Sequence, residues 1–171
     1  ILKCGEYTEQ YDAIAVFEDD VYAAPGFYSF MKAAVPFYQK DDRIAGISLY
    51  SPRWNPVVDR IYEPLRTDAD VFFMQLAQSW GQIWMRNQWR AFMDWYEQLV
   101  DAEKKGRKKE IMISEEIPEN VRAWPETSWL KYHVAYCILE HKYFVYPYEA
   151  FSTNCGDAGE NFPAGSWRYQ V

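Results

Sequence analysis

Four short apolar runs set the limits on what this chain can fold into: "AIAVF" (Ala13–Phe17), "RIAGISLY" (Arg43–Tyr50), "VFFMQ" (Val71–Gln75) and "YFVYP" (Tyr143–Pro147). Each is too short for a buried helix and is bounded by turn-forming or charged residues, which predicts strands. Between them the apolar spacing changes to that of a helix. Phe27, Phe30, Met31 and Ala34 form one stripe, opened by Pro25 at a first helical turn and expected to kink or end at Pro36. Trp89, Phe92, Met93, Tyr96, Leu99 and Val100 form a second, with Asn87 able to cap its start and Gly106 its end. Trp129, Tyr132, Tyr136 and Leu139 form a third, over residues 128–141. Strands alternating with helices predict an α/β layer structure in one domain. The unbroken apolar character of "AIAVF" predicts a strand covered on both faces, as in a parallel sheet.

The remaining segments read as connections. Residues 51–70 carry three prolines without periodicity and predict a long surface loop. Residues 113–126 predict a polar connector, and "FSTNCGDAGENFPAGSW" a loop rich in turn formers. The basic run "KKGRKK" reads as a solvated helix end. An apolar content of 49%, with 19% aromatic residues, excludes a disordered chain. A net charge of -7 implies no broad basic surface, so no nucleic-acid partner is expected. No apolar stretch reaches the roughly 20 residues that a bilayer requires, which reads as a cytoplasmic protein whose membrane association, if any, is peripheral. Cys4, Cys137 and Cys155 are odd in number and fit no zinc spacing. Free thiols in a reducing compartment are the simplest account, with one disulfide plus one free thiol as the alternative.

The chemistry concentrates where "AIAVF" runs into Glu18, Asp19 and Asp20. Adjacent carboxylates repel one another, and two situations relieve them. They can fan into solvent and complement the N-terminus of the next helix. Alternatively a hard divalent cation, Mg2+ or Mn2+, neutralises them while bridging to substrate phosphates. In open α/β sheets ligands bind outside the carboxyl ends of the strands, and these residues follow such an end.

"AIAVFEDDVYAAPGFYSFM" resembles the acidic-motif segment of GT-A-type glycosyltransferases, and among them the N-acetylglucosaminyltransferases that elongate mannosyl glycoproteins and bacterial sugar transferases of similar build. "QSWGQIWMRNQWRAF" is similar to their Gly-aromatic segment in the acceptor half, and "PYEAFSTNCGDAG" to a late Asn-x-Gly loop of bacterial members. The likeness runs in order from Asp12 to Phe162. It implies metal-dependent, inverting transfer of a sugar from a nucleotide diphosphate sugar to an acceptor hydroxyl of a carbohydrate or glycan. Asp20 would bind the Mn2+ or Mg2+ directly, and Glu18 and Asp19 would contact the donor or support the site. Trp80, beside Gly81, would line the acceptor site, since sugar rings stack on aromatic faces.

Two departures from the family pattern bear on the assignment. Family members carry a long stretch before the acidic motif that supplies the early strands holding the nucleotide base; here only residues 1–12 precede the strand. The implied fold is thus GT-A-like without its N-terminal nucleotide-binding strands, the carboxyl-terminal part of a catalytic domain, with weak donor binding and an uncovered sheet edge that favours self-association. The family's catalytic base lies beside a Trp after the long middle helix. The corresponding stretch here, "WPETSWLKYH", offers Glu126, whose other role is to sit at a helix N-terminus. Asp157 is a second candidate for a catalytic role near the metal or acceptor, against a turn-forming one. His133 and His141 rank below both as metal ligands. The alternative function is a carbohydrate- or partner-binding remnant without turnover. A phosphoryl-transfer or nuclease enzyme using the same carboxylates ranks last, because basic residues are lacking close to the motif.

Overall fold

A computed structural model describes residues 2–55, 58–104, 106, 112–156 and 170–171. The apolar runs assemble into a five-stranded sheet of β1 (Ala13–Val16), β3 (Ile44–Ser48), β6 (Val71–Met74), β7 (Gln82–Met85) and β8 (Tyr143–Pro147), in the order β1-β7-β3-β8-β6. β1, β3 and β8 run in one direction, and β7 and β6 run against them. The sheet is therefore mixed. A separate antiparallel ribbon pairs β2 (Val21–Ala23) with β9 (Ser152–Asn154), and a third pairs β4 (Trp54–Asn55) with β5 (Arg60–Ile61) inside the expected surface loop.

Helices cover both faces. The stripe of α2 (Phe27–Tyr38) packs on one face against Ile47, Leu49, Ile83 and Val145. On the other face, α3 (Arg86–Lys104) and α5 (Trp129–Leu139) enclose Trp84, Phe144 and Tyr146, joined by Val121 of the short helix α4 (Glu119–Arg122). The chain enters through a single turn, α1 (Leu2–Gly5), and a 3-10 turn over Glu6–Glu9. α2 does not end before Pro36: it continues two residues further, and Gln39 N–H closes it on the Val35 carbonyl at 2.9 Å. Pro36 is exposed in the last turn, where few bonds remain to be lost. α3 ends as its sequence predicts, with Gly106 left-handed at φ 74° and its N–H on the Glu103 carbonyl. α5 is buried over the unbroken run Lys131–Cys137 rather than along one stripe, as befits a helix enclosed on all sides. Gly46 in β3 is a close approach: a Cβ there would lie 2.6 Å from the Phe144 ring.

The expectation for "AIAVF" needs correction. β1 pairs only with β7, antiparallel, and stands at the edge of the sheet among the described residues; all four of its residues are half-buried. A continuous apolar run reports burial of side chains on both faces, and Ile14 and Val16 do pack toward α3 while Ala13 and Phe17 pack toward α2. It carries no information on whether a second strand lies alongside.

His133 sits at the centre of the α3–α5 layer, 1% exposed, stacked on Phe92 at 4.3 Å and edge-on to Phe144 at 5.1 Å. Among the described residues neither ring nitrogen has a hydrogen-bond partner. Such a group costs stability rather than supplying it, and burial depresses its pKa from 6.5 to about 3. Between those values the unfolded chain takes up a proton that the folded one refuses. Stability should therefore fall as pH drops below about 6.5, by roughly 3 kcal/mol at pH 4. Denaturant melts of the wild type and His133→Phe across pH 4–7 check this: the variant should lose that part of the acid dependence.

Candidate functional site

The acidic residues follow β1 directly, so they lie at the carboxyl end of the three like-directed strands. Glu18 is half-buried, while Asp19 and Asp20 are exposed in the turn. The turn closes through Val21 N–H on the Glu18 carbonyl at 3.2 Å, and Cys155 N–H donates to the Asp20 carbonyl at 2.8 Å. The register of the ribbon, Val21 opposite Asn154 and Tyr22 opposite Thr153, makes Asp20 and Cys155 the next pair. Alternation then puts Asp20 and Tyr22 on the outer face, with Val21 and the buried Ser152 and Asn154 on the inner face.

The segment before β7 supports this turn. Burial above all, with the nearby charges of Asp20 and Asp19, raises the Glu18 pKa against the lowering influence of the Ser79 side chain. Trp80 packs edge-on against Tyr50 at 4.9 Å, and its carbonyl accepts a 2.6 Å bond from Ser152 Oγ. Gly81 is left-handed at φ 91°, and a Cβ there would lie 2.8 Å from Ser152 Oγ and 3.2 Å from both Leu49 Cβ and the Phe17 ring. Its carbonyl accepts from Leu49 N–H, while Phe151 N–H donates to the Leu49 carbonyl. The strand ends, the Trp80–Gly81 turn and the β2–β9 ribbon are thus knitted together around the acidic motif. The structure brings Glu18, Asp19, Asp20, Trp80 and Gly81 to one end of the sheet.

Glu126 stands in the turn just before α5. The Glu126 carboxylate accepts from Lys131 Nζ at 2.8 Å and from Tyr132 Oη at 2.8 Å, and Lys131 Nζ also donates to the Trp124 carbonyl. Lys131 is 3% exposed and Glu126 67%. The carboxylate thereby neutralises a buried ammonium, a structural task that the sequence does not reveal. Asp157 lies outside the described residues. His133 is enclosed by aromatic rings, and His141 is exposed, left-handed at φ 51°, at the close of α5; neither approaches the acidic turn as a ligand.

Among the described residues no three His, Cys, Asp or Glu side chains converge in a way that could hold a metal ion by themselves. The turn therefore does not fit a closed protein cage. One or two carboxylates suffice for a cation shared with a bound diphosphate; the residues that could offer them are Asp20, exposed and with its carbonyl held by Cys155 N–H, and Glu18, whose pKa is raised chiefly by burial. A cavity lined by Cys4, Tyr7, Tyr11 and residues 14–17 lies along β1. Sequence reasoning missed Ser79, Ser152, Asn154 and Cys155. Ser152, Asn154 and Cys155 act through strand pairing that no local pattern announces, and only the nearness of Ser79 to Trp80 and Gly81 pointed toward Ser79. No described helix is long and apolar enough to cross a membrane, and the three thiols are free. No family model and no curated protein sequence matches this chain.

Two substitutions separate these roles. Glu126→Gln leaves Lys131 buried without its anionic partner and should lower stability by about 1–2 kcal/mol, less than for a fully buried pair because the carboxylate faces solvent; equilibrium denaturation measures it. Glu18→Gln should raise the melting temperature at neutral pH, where the charge on Glu18 opposes folding. The gain should shrink as pH falls through the raised pKa and the wild-type carboxyl takes up its proton.

Proposed function

We propose that this chain forms the acidic-motif and acceptor-side part of a GT-A-like, metal-dependent inverting glycosyltransferase. It would act on a nucleotide diphosphate sugar and a carbohydrate or glycan acceptor. The observation that carries the reading is the placement of Glu18–Asp20. They follow the carboxyl end of β1 in a backbone-fixed turn, where ligands of open α/β sheets bind.

In this reading Asp20 orients a Mg2+ or Mn2+ ion, which when bound would neutralise charge growing on the diphosphate leaving group. Glu18, partly desolvated, faces the donor and holds its negative charge ready for a hydrogen-bonding or cationic partner. Asp19 supports the same end from solvent. The ring of Trp80, fixed against Tyr50, offers a face for the acceptor sugar. Transfer requires the acceptor oxygen to attack the anomeric carbon as the bond to the diphosphate breaks, with the hydroxyl proton passing to a carboxylate base. Glu126 is committed to Lys131 and Tyr132, so Asp157 remains beside it as the second candidate. That commitment is also what favours the other reading, a carbohydrate-binding remnant without turnover.

Calorimetry with uridine and guanosine diphosphates in the presence of Mn2+ tests the proposal. The chain should bind at best around millimolar, about -4 kcal/mol, and Asp20→Asn should abolish the Mn2+-dependent part while leaving the thermal melt intact. Equal binding by wild type and variant would remove Asp20 from its assigned role. Micromolar binding with sugar transfer would show that residues 1–171 are a complete enzyme.

A further inference from the structure

Residues 21–40 hold none of the chain's 25 aspartates and glutamates, although the chain as a whole carries a net charge of -7. Most of that stretch is α2. Its inner stripe packs on the sheet, and its outer face carries Tyr28, Lys32 and Phe37, with Lys40 just beyond its end; all four are exposed. The other outward positions of the helix are uncharged. Lys32 Nζ lies over the Tyr28 ring at 4.8 Å from its centroid. Phe37, 76% exposed, packs edge-on against Tyr38 at 4.8 Å, and Tyr38 against Phe73 of β6 at 6.2 Å. Phe73 is itself half exposed. Single apolar residues on a surface need no explanation, but a row of exposed aromatics flanked only by cations does.

The nearest carboxylates do not cancel these cations. Asp41 is tied to Arg43 at 2.7 Å, and Lys142 Nζ stands beside Asp42, donating to its carbonyl at 2.7 Å. The acidic turn lies at the other end of the helix, where Phe27 packs edge-on at 5.3 Å against Phe17, the residue before Glu18. From Phe27 to Phe37 the axis rises about 15 Å, beyond the ~8 Å screening length of physiological salt. The chain is thus acidic overall but presents one cationic, aromatic face. Lysine is depleted in protein–protein interfaces, and a second copy docked through this face would set the lysines of one against those of the other. Aromatic rings beside lysines suit the headgroup layer of a bilayer, where the rings enter and the ammonium groups stay at the phosphates.

We infer that the outer face of α2 docks on an anionic membrane surface. Phe37, with Phe73 beside it, enters the headgroup region, and Lys32 and Lys40 engage the lipid phosphates. The inner stripe of the helix stays in the core, so binding needs no unfolding of α2.

Co-sedimentation with vesicles tests this on the chain as it stands. The probes are vesicles of phosphatidylcholine alone and of phosphatidylcholine and phosphatidylglycerol in equal parts. The chain should pellet with the anionic vesicles and not with the neutral ones, and raised salt should release it. Lys32→Gln and Lys40→Gln should each weaken binding about fivefold, the contribution of one cation near such a surface. Phe37→Glu should abolish binding and leave the melting temperature unchanged, because the ring is exposed. Leu65→Glu, which alters an exposed leucine held beside Tyr148 instead, should bind as the wild type does. No binding to the anionic vesicles, equal binding to both kinds, or the same loss in Leu65→Glu would overturn the inference. Self-association without lipid, seen by sedimentation velocity and abolished by Phe37→Glu, would assign the face to a second copy and overturn it equally.

Discussion

β7 is the element on which the rest depends. Its four residues, Gln82–Met85, are fully buried, and it alone joins β1 to the remainder of the sheet. A strand in that position must satisfy backbone groups on both sides, and it does so against β1 and β3. Its one polar side chain is also satisfied, because Gln82 Oε1 accepts from Trp84 Nε1 at 2.7 Å. Because β7 runs against its neighbours, the Ser79–Gly81 segment that feeds it arrives at the end of the sheet where the acidic turn begins. Gly81 makes that arrival possible, since a side chain there would collide with Ser152 and Leu49. The packing of the sheet and the surroundings of Glu18 thus follow from the same strand.

The acidic turn is held by backbone bonds and half-buried on one side only. Burial and mutual repulsion both disfavour the charge on Glu18, and the single compensating contact, from Ser79, is the weaker influence. A chain with no use for such charge could relieve it with one substitution. Regions that bind ions commonly keep a cost of this kind in the free state, to be offset when the counter-charge arrives. Glu126 shows the opposite arrangement. Its charge is already matched by Lys131, which makes it valuable to the fold and poorly prepared to accept a proton from a substrate.

Much of the fold was legible because burial imposes a period. The strand over Tyr143–Pro147, the long helix after β7 and its glycine stop follow from apolar spacing and helix-end chemistry. β7 itself was not legible: "SWGQIWMR" carries a buried glutamine and a glycine, and its strand character comes from being enclosed on both sides. β9 reads as a turn in "STN" and is a strand only because β2 lies opposite. The open edge at β1 was implied by the resemblance but not by the apolar pattern, since side-chain burial and backbone pairing are separate constraints and the sequence encodes the first more openly. Of the site, Glu18–Asp20 and the Trp80–Gly81 turn were legible as chemistry and conformation. The engagement of Glu126 with Lys131 was not, because nothing in "WPETSWLKYH" marks the lysine as buried.

The claim that the Glu18–Asp20 turn is a cation site completed by a diphosphate is tested most directly by paramagnetic broadening. Trace Mn2+ should broaden the backbone NMR signals of Asp19, Asp20, Val21 and Cys155 first, and adding a nucleoside diphosphate should lower the Mn2+ concentration needed. Broadening spread evenly over other exposed acidic residues such as Asp42 and Asp68, or an acidic turn indifferent to the diphosphate, would contradict the account.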